Sequence, residues 1–271
     1  MFNAKTERID KLSKKYANRI KELDLIFDKP TNIYIDFANV IRWQGKLQWH
    51  IELKRLKQLL DSFDTVKDVR YYSGTLIGDA KSEESIEDIR RCKYTVITKP
   101  VKIFRIPINI ASIPLSSPDI VKQFIRPPLL EKMNIETIKF INSRLKELNK
   151  QGIMYLEDKK CNFDVEIGSD MLLANNSGEV ENFILWSGDS DFEPPLKQLL
   201  SDKKKCVVFS TVRRVAKELN DLRNNGLFIY EIQKIKNFIC WVSRCHTFVR
   251  HIFIWYTRIS HNFISCSVRH F

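Results

Sequence analysis

The chain has 271 residues, 44% hydrophobic and 29% charged, with a formal net charge of +12. That balance excludes an intrinsically disordered chain and favours a soluble body with one good core and an appendage. The positive balance favours a polyanionic partner, nucleic acid before an anionic membrane surface.

In chain order, Ile9, Leu12, Tyr16, Ile20, Leu23 and Phe27 recur every three or four residues and predict an amphipathic helix over 5–27. A short apolar strand follows at 32–37, with Asp36 at its end, then a helix over 49–63 and a strand over 68–74. A charged helix is expected at about 82–91. Residues 94–106, rich in Val, Ile and Thr, predict one strand or a broken pair. Pro107, Pro114, Pro118, Pro127 and Pro128 then mark 107–130 as a surface insertion that includes Lys122 and Arg126. Helices are expected at 131–150, 164–176, 191–201 and 212–224, and strands at 182–187, 205–210 and 227–232. Strands alternating with helices imply βαβ units on a mostly parallel α/β sheet. The expected domains are an N-terminal helix at 1–30, a body at 31–233 with the 107–130 insertion, and a tail at 238–271.

That tail contains no Lys, Asp or Glu, yet four of the five histidines and three of the six cysteines. A membrane span is a poor reading, because Arg244, His246, Arg250 and His251 would lie inside it. A zinc site from Cys240, Cys245, His246 and His251 matches no structural zinc spacing. An atypical appendage, including one that is not native coding sequence, fits best. Cys92, Cys161 and Cys206 show no disulfide or ligand spacing, and 1–27 is charged rather than an apolar targeting segment. Reduced thiols in a cytoplasmic protein are the expectation.

The chemistry concentrates at Phe183–Phe192, an apolar strand that turns at Gly188 and presents Asp189 and Asp191. Parallel sheets place their sites at the carboxyl ends of strands. Two more carboxylates, Asp36 and Asp164, fall at strand-to-helix transitions; Asn39 follows Asp36 in what reads as a tight loop. Asp170 lies beside the apolar stripe of the helix that Asp164 starts and wants a partner. Each Asp alone has an ordinary structural role as a turn or cap residue, Asp191 above all. Together on one sheet edge they suit a hard divalent cation, Mg²⁺ or Mn²⁺. No glycine-rich phosphate loop competes with this reading.

Three segments carry a resemblance: Ile35–Asn39, Cys161–Met171 and Ser187–Phe192. Their order and content are similar to the NYN domain, the LabA-like branch of the PIN-like nucleases, across about residues 31–233. The resemblance implies a Rossmann-like three-layer α/β/α sandwich and metal-dependent ribonuclease action. It implies Asp36, Asp164 and Asp189 as metal-binding acids, with Asn39, Asp170 and Asp191 in support. Asn225 stands where members often carry an acid, and the Pro-rich insertion has no evident counterpart.

RNA contacts are expected from Lys159 and Lys160 before Asp164, and from Arg213 and Arg214 at the start of the helix expected at 212–224; Lys203–Lys205 and Lys217 add charge nearby. Each cluster reads equally as a solvated face. Trp43 and Trp49 suit base stacking or core packing alike, and at least one of Tyr71 and Tyr72 belongs to the core. The expected activity is an endoribonuclease; the alternative is a non-catalytic RNA-binding or regulatory protein on the same fold.

Overall fold

The computed structural model describes residues 1–211 and 214–240. The chain divides into two units, one built from Met1–Pro100 and the segment from Cys161 onward, the other from Val101–Lys160.

The first unit opens with α1 (Glu7–Lys15) and α2 (Ala17–Ile26), where one helix was expected. The break is at Tyr16, whose backbone leaves the helical region and whose ring meets Phe238 edge-on. Next come β1 (Thr31–Asp36), α3 (Phe37–Leu47), α4 (Leu53–Leu60), β2 (Val66–Thr75), α5 (Ala80–Arg91) and β3 (Thr95–Pro100). α3 is a helix where the sequence suggested a tight loop. Phe37, Val40, Trp43 and Leu47 form its apolar stripe, and Gln48 ends it with a left-handed backbone (φ 60°).

The second unit holds β4 (Lys102–Pro107), α6 (Pro127–Leu130), α7 (Ile135–Lys150) and β5 (Tyr155–Lys160). Its two strands pair antiparallel, Phe104 opposite Asp158. The segment at 94–106 is therefore a pair of strands in two different sheets, and β5 is a strand the sequence reading did not include. α7 organises the proline-rich stretch: the Asn142 side-chain amide donates to the Leu115 and Ser117 carbonyls, and that of Asn149 to Ile108 and Ile153.

The first unit resumes with α8 (Asp164–Ser177), β6 (Asn182–Trp186), α9 (Glu193–Ser201), β7 (Lys205–Ser210), α10 (Lys217–Asp221), β8 (Phe228–Glu231) and α11 (Lys236–Ile239). Pro194 and Pro195 stand in the first turn of α9, where a missing N–H costs nothing. Six strands form one parallel sheet in the order β3-β2-β1-β6-β7-β8. β1 and β6 are buried along their whole length, as strands covered on both faces must be. Alternate residues serve the two faces. Ile33, Ile35, Tyr71, Ile184 and Trp186 pack under α1–α5 and α11. Tyr34, Tyr72, Phe183 and Leu185 pack under α8, α9 and α10. The result is a three-layer α/β/α sandwich, and Tyr71 and Tyr72 are both core, on opposite faces.

Phe238, Ile239 and Cys240, assigned to the tail by composition, are buried in this core. Arg8 donates to the Phe238 carbonyl and Arg55 to that of Cys240. The remainder of the tail, with its candidate zinc ligands Cys245, His246 and His251, lies outside the described residues. Among those described, no helix is long and apolar enough to cross a membrane.

The chain order runs outward from β1 through β2 to β3, and from β6 through β7 to β8. Between β1 and β6 the direction reverses, which opens a crevice at their carboxyl ends. At the other end, Asn182 starts β6 fully buried, and its amide donates to the Ile26 carbonyl and to the Thr31 hydroxyl oxygen. Asn182→Ala strands both acceptors. It should cost about 1–3 kcal/mol in urea unfolding, and a loss below about 0.5 kcal/mol would show that the two contacts do not anchor β6.

Candidate metal and nucleic-acid site

Asp36 ends β1 at the crevice, on the face that α8 covers. Its Oδ1 accepts from the Asn39 backbone N–H at 3.3 Å, which caps α3, and its Oδ2 accepts from the Ser187 hydroxyl at 3.1 Å. Burial raises its pKa, and the charge of Asp189 pushes the same way against the hydrogen bonds from Asn39 and Ser187. A carboxylate so placed is kept by its donors and by the positive end of α3.

Ser187 is fully buried just past β6. Its oxygen receives the Asp189 N–H at 3.3 Å while its hydroxyl donates to Asp36, so it ties two acids of the site together. The sequence reading assigned it no role; a lone serine following four apolar residues at a carboxyl sheet edge was the available signal. Gly188 is required by close approach. A Cβ there would stand 1.7 Å from the Arg214 carbonyl oxygen, which no side chain survives. The Gly188 carbonyl accepts from the Ala216 N–H at 2.9 Å, fixing that loop against the end of β6.

Asp189, rather than Asp191, is the capping residue. Its Oδ1 accepts from the Asp191 N–H at 3.4 Å over the short 3₁₀ turn Ser190–Phe192. Asp164 is the first residue of α8 and does not cap it; Asn162 Oδ1 takes the Asp164 N–H at 2.7 Å. That carboxyl is raised to about 6, by burial first and then by a hydrogen bond with the Asp191 side chain and the charges of Asp36 and Asp189. Two carboxyls joined by a hydrogen bond hold a proton between them.

The structure thus brings Asp36, Asp164, Asp189 and Asp191 within electrostatic reach of one another, and Asn39 beside Asp36. All-oxygen donors of this kind suit a hard dication. Even so, among the described residues no three His, Cys, Asp or Glu are arranged to hold a metal ion. Both oxygens of Asp36 and one of Asp189 accept hydrogen bonds from donors of the chain.

Asp170 has other partners. Tyr72 donates its hydroxyl at 2.6 Å, and Arg70 lies 3.0 Å away while also pairing with Asp68 at 2.7 Å. A cleft of about 330 Å³ adjoins Asp189 and Asn39, with Arg42 and Arg214 on its walls. Among the described residues neither arginine forms an ion pair. Trp43 and Trp49 are buried packing residues, and Trp49 donates to Gln233.

The remaining basic residues divide by position. Lys159 and Lys160 belong to β5 in the second unit, where Lys160 pairs with Asp158 and stands over the Phe104 ring. Arg213 lies outside the described residues. Lys204 and Lys205 are engaged by Glu181 and Asp28 at the amino-terminal edge of the sheet, opposite the acids.

A doubly wound α/β sandwich with carboxylates gathered at its switch point defines the class. Residues 121–229 match the NYN domain family, a span that includes Asp164, Asp170, Asp189 and Asp191 but not Asp36. The chain is 23% identical over 218 residues to the low amplitude and bright protein LabA of Synechococcus elongatus, covering 80% of this chain and 91% of that one. In this span and in its likeness to LabA, the chain is similar to NYN domains of the LabA-like kind. It also overlaps a crystal structure of a protein of unknown function from Vibrio parahaemolyticus with a TM-score of 0.47 and 16% identity, over 78% of this chain and 95% of that one.

The raised ionisation of Asp164 links the site to stability. In the unfolded chain the group ionises near 3.8 and in the folded protein near 6. The folded state is therefore favoured by the proton, and stability falls as pH rises from the first value to the second. Asp164→Asn should raise the melting temperature at pH 7.5 and leave it unchanged near pH 3.5. An equal shift at both pH values would contradict the carboxylate coupling.

Proposed function

We propose that the protein is a metal-dependent endoribonuclease acting on cytoplasmic RNA, with Asp36, Asp164 and Asp189 as the acids that hold Mg²⁺ or Mn²⁺. The observation that supports this reading is the gathering of these acids at the switch point, where burial first, and then Asp191, Asp36 and Asp189, raise the ionisation of Asp164. Such acids favour a cation or a proton among them. When bound, a divalent cation supplies Lewis acidity, lowering the pKa of a water and offsetting charge on the phosphate.

The chain's own residues do the rest. Asn39 and Ser187 orient Asp36, and Asn162 relieves Asp164 of capping duty. Asp191 supports Asp164 through the hydrogen bond between their side chains. Arg42 and Arg214 offer guanidinium groups to phosphate oxygens beside Asp189. A net charge of +12 raises the encounter rate with RNA. Asp170 supports through position: its hydrogen bond and ion pair tie α8 to β2. Lys159, Lys160 and Arg213 remain candidates for further RNA contact.

A second reading, a non-catalytic RNA-binding or regulatory protein, is favoured by one observation: the acids do not stand pre-arranged as ligands among the described residues. Cleavage of single-stranded RNA with and without EDTA separates the two. Asp189→Asn keeps an equally good cap, so the fold should persist while cleavage falls at least about 100-fold. Cleavage that survives both Asp189→Asn and EDTA overturns the metal assignment; RNA binding without any cleavage supports the second reading.

A further inference from the structure

A second cavity, of about 390 Å³, lies over the carboxyl ends of β7 and β8. Its walls carry the hydroxyls of Ser210 and Thr211, the amide of Asn220 and the cations Arg223 and Lys234. Val215 lines both this cavity and the cleft beside Asp189, so the two open on either side of one short segment. Arg223 is exposed, and among the described residues it forms no ion pair. Lys234 is only loosely engaged, 3.7 Å from Glu22 and 5.3 Å from the centre of the Tyr230 ring.

We infer that this cavity is a phosphate-binding subsite for the RNA strand that flanks the acidic crevice. The inference rests on the RNA reading above and extends it to a defined path. Strands of one sheet stand about 4.8 Å apart, so the end of β8 is roughly 10 Å from the end of β6. About three stacked nucleotides span that distance at ~3.4 Å each. A strand whose reacting phosphate sits at Asp189 therefore delivers a later phosphate to Arg223 and Lys234. Ser210, Thr211 and Asn220 add neutral polar groups of the kind that fix phosphate and sugar without reading sequence. Glu231, the one acid of the cavity, suits a donor such as the ribose 2′-hydroxyl.

The geometry distinguishes long from short ligands. Fluorescence anisotropy in EDTA, with single-stranded RNA of about twelve nucleotides and a dinucleotide, reads the difference without cleavage. Arg223→Ala should weaken the longer RNA roughly threefold to tenfold and lower its salt slope by about 0.7, the value of one phosphate contact on a single strand. The dinucleotide, too short to reach from the crevice to Arg223, should be unaffected, as should both RNAs with Lys11→Ala on α1. Adding Lys234→Ala should lower the slope again. An unchanged long-RNA slope in Arg223→Ala, or equal weakening of the dinucleotide, overturns the subsite. Failure of the unaltered protein to bind either RNA overturns the RNA reading and the subsite with it. Binding that behaves as stated in a protein that never cleaves upholds the subsite and sinks only the nuclease.

Discussion

Asp36 is a carboxylate only 6% exposed, at the place where a parallel sheet changes direction. A buried charge is costly, and this one persists because Asn39, Ser187 and the first turn of α3 all direct donors at it. The rest of the site is arranged about that fixed charge. Ser187 passes the constraint to Asp189, whose N–H it accepts, and Gly188 between them lets the Arg214–Ala216 segment lie against the strand end. Asp164 is partly buried beside these acids, and burial first, then Asp191 and the charges of Asp36 and Asp189, raise its carboxyl to about 6.

The two faces of the sheet divide the labour. The face under α1–α5 and α11 is a large apolar core that runs to Phe238 and Ile239 and holds the sheet rigid. The face under α8, α9 and α10 carries Tyr34, Tyr72 and Phe163 close to the acids. There the pairing of Asp170 with Tyr72 and Arg70 sets how α8 sits on β2. Asp164 stands six residues earlier on the same helix, so that polar clamp acts on the site through the helix rather than through a ligand.

Much of this was legible in the sequence. The fully apolar strands β1 and β6, the acids at their ends and the alternation of strands with helices were enough for the fold class. Five of the six acidic and amide positions singled out there do act on one another, because each lies close behind a strand end or starts a helix. What was hidden had physical causes. Helix α3 was obscured by Asn39 and Gly45, weak helix formers that its apolar stripe overrides. β5 was obscured because its exposed, charged residues give no periodic signal in a two-stranded ribbon. The cap over Ser190–Phe192 comes from Asp189 rather than Asp191, since capping depends on local backbone direction, which composition does not encode. The need for Gly188 arises from a backbone 26 residues away, and only the fold reveals it.

The central claim is that Asp36, Asp164 and Asp189 form one site for a hard cation. Titration of the metal-free protein with Mn²⁺, followed by electron paramagnetic resonance, tests it without reference to any substrate. The account predicts saturable binding that weakens at least about tenfold in Asp36→Asn, a change that keeps the cap on α3. Absence of saturable Mn²⁺ binding at millimolar concentration, or the same affinity in Asp36→Asn, would contradict it.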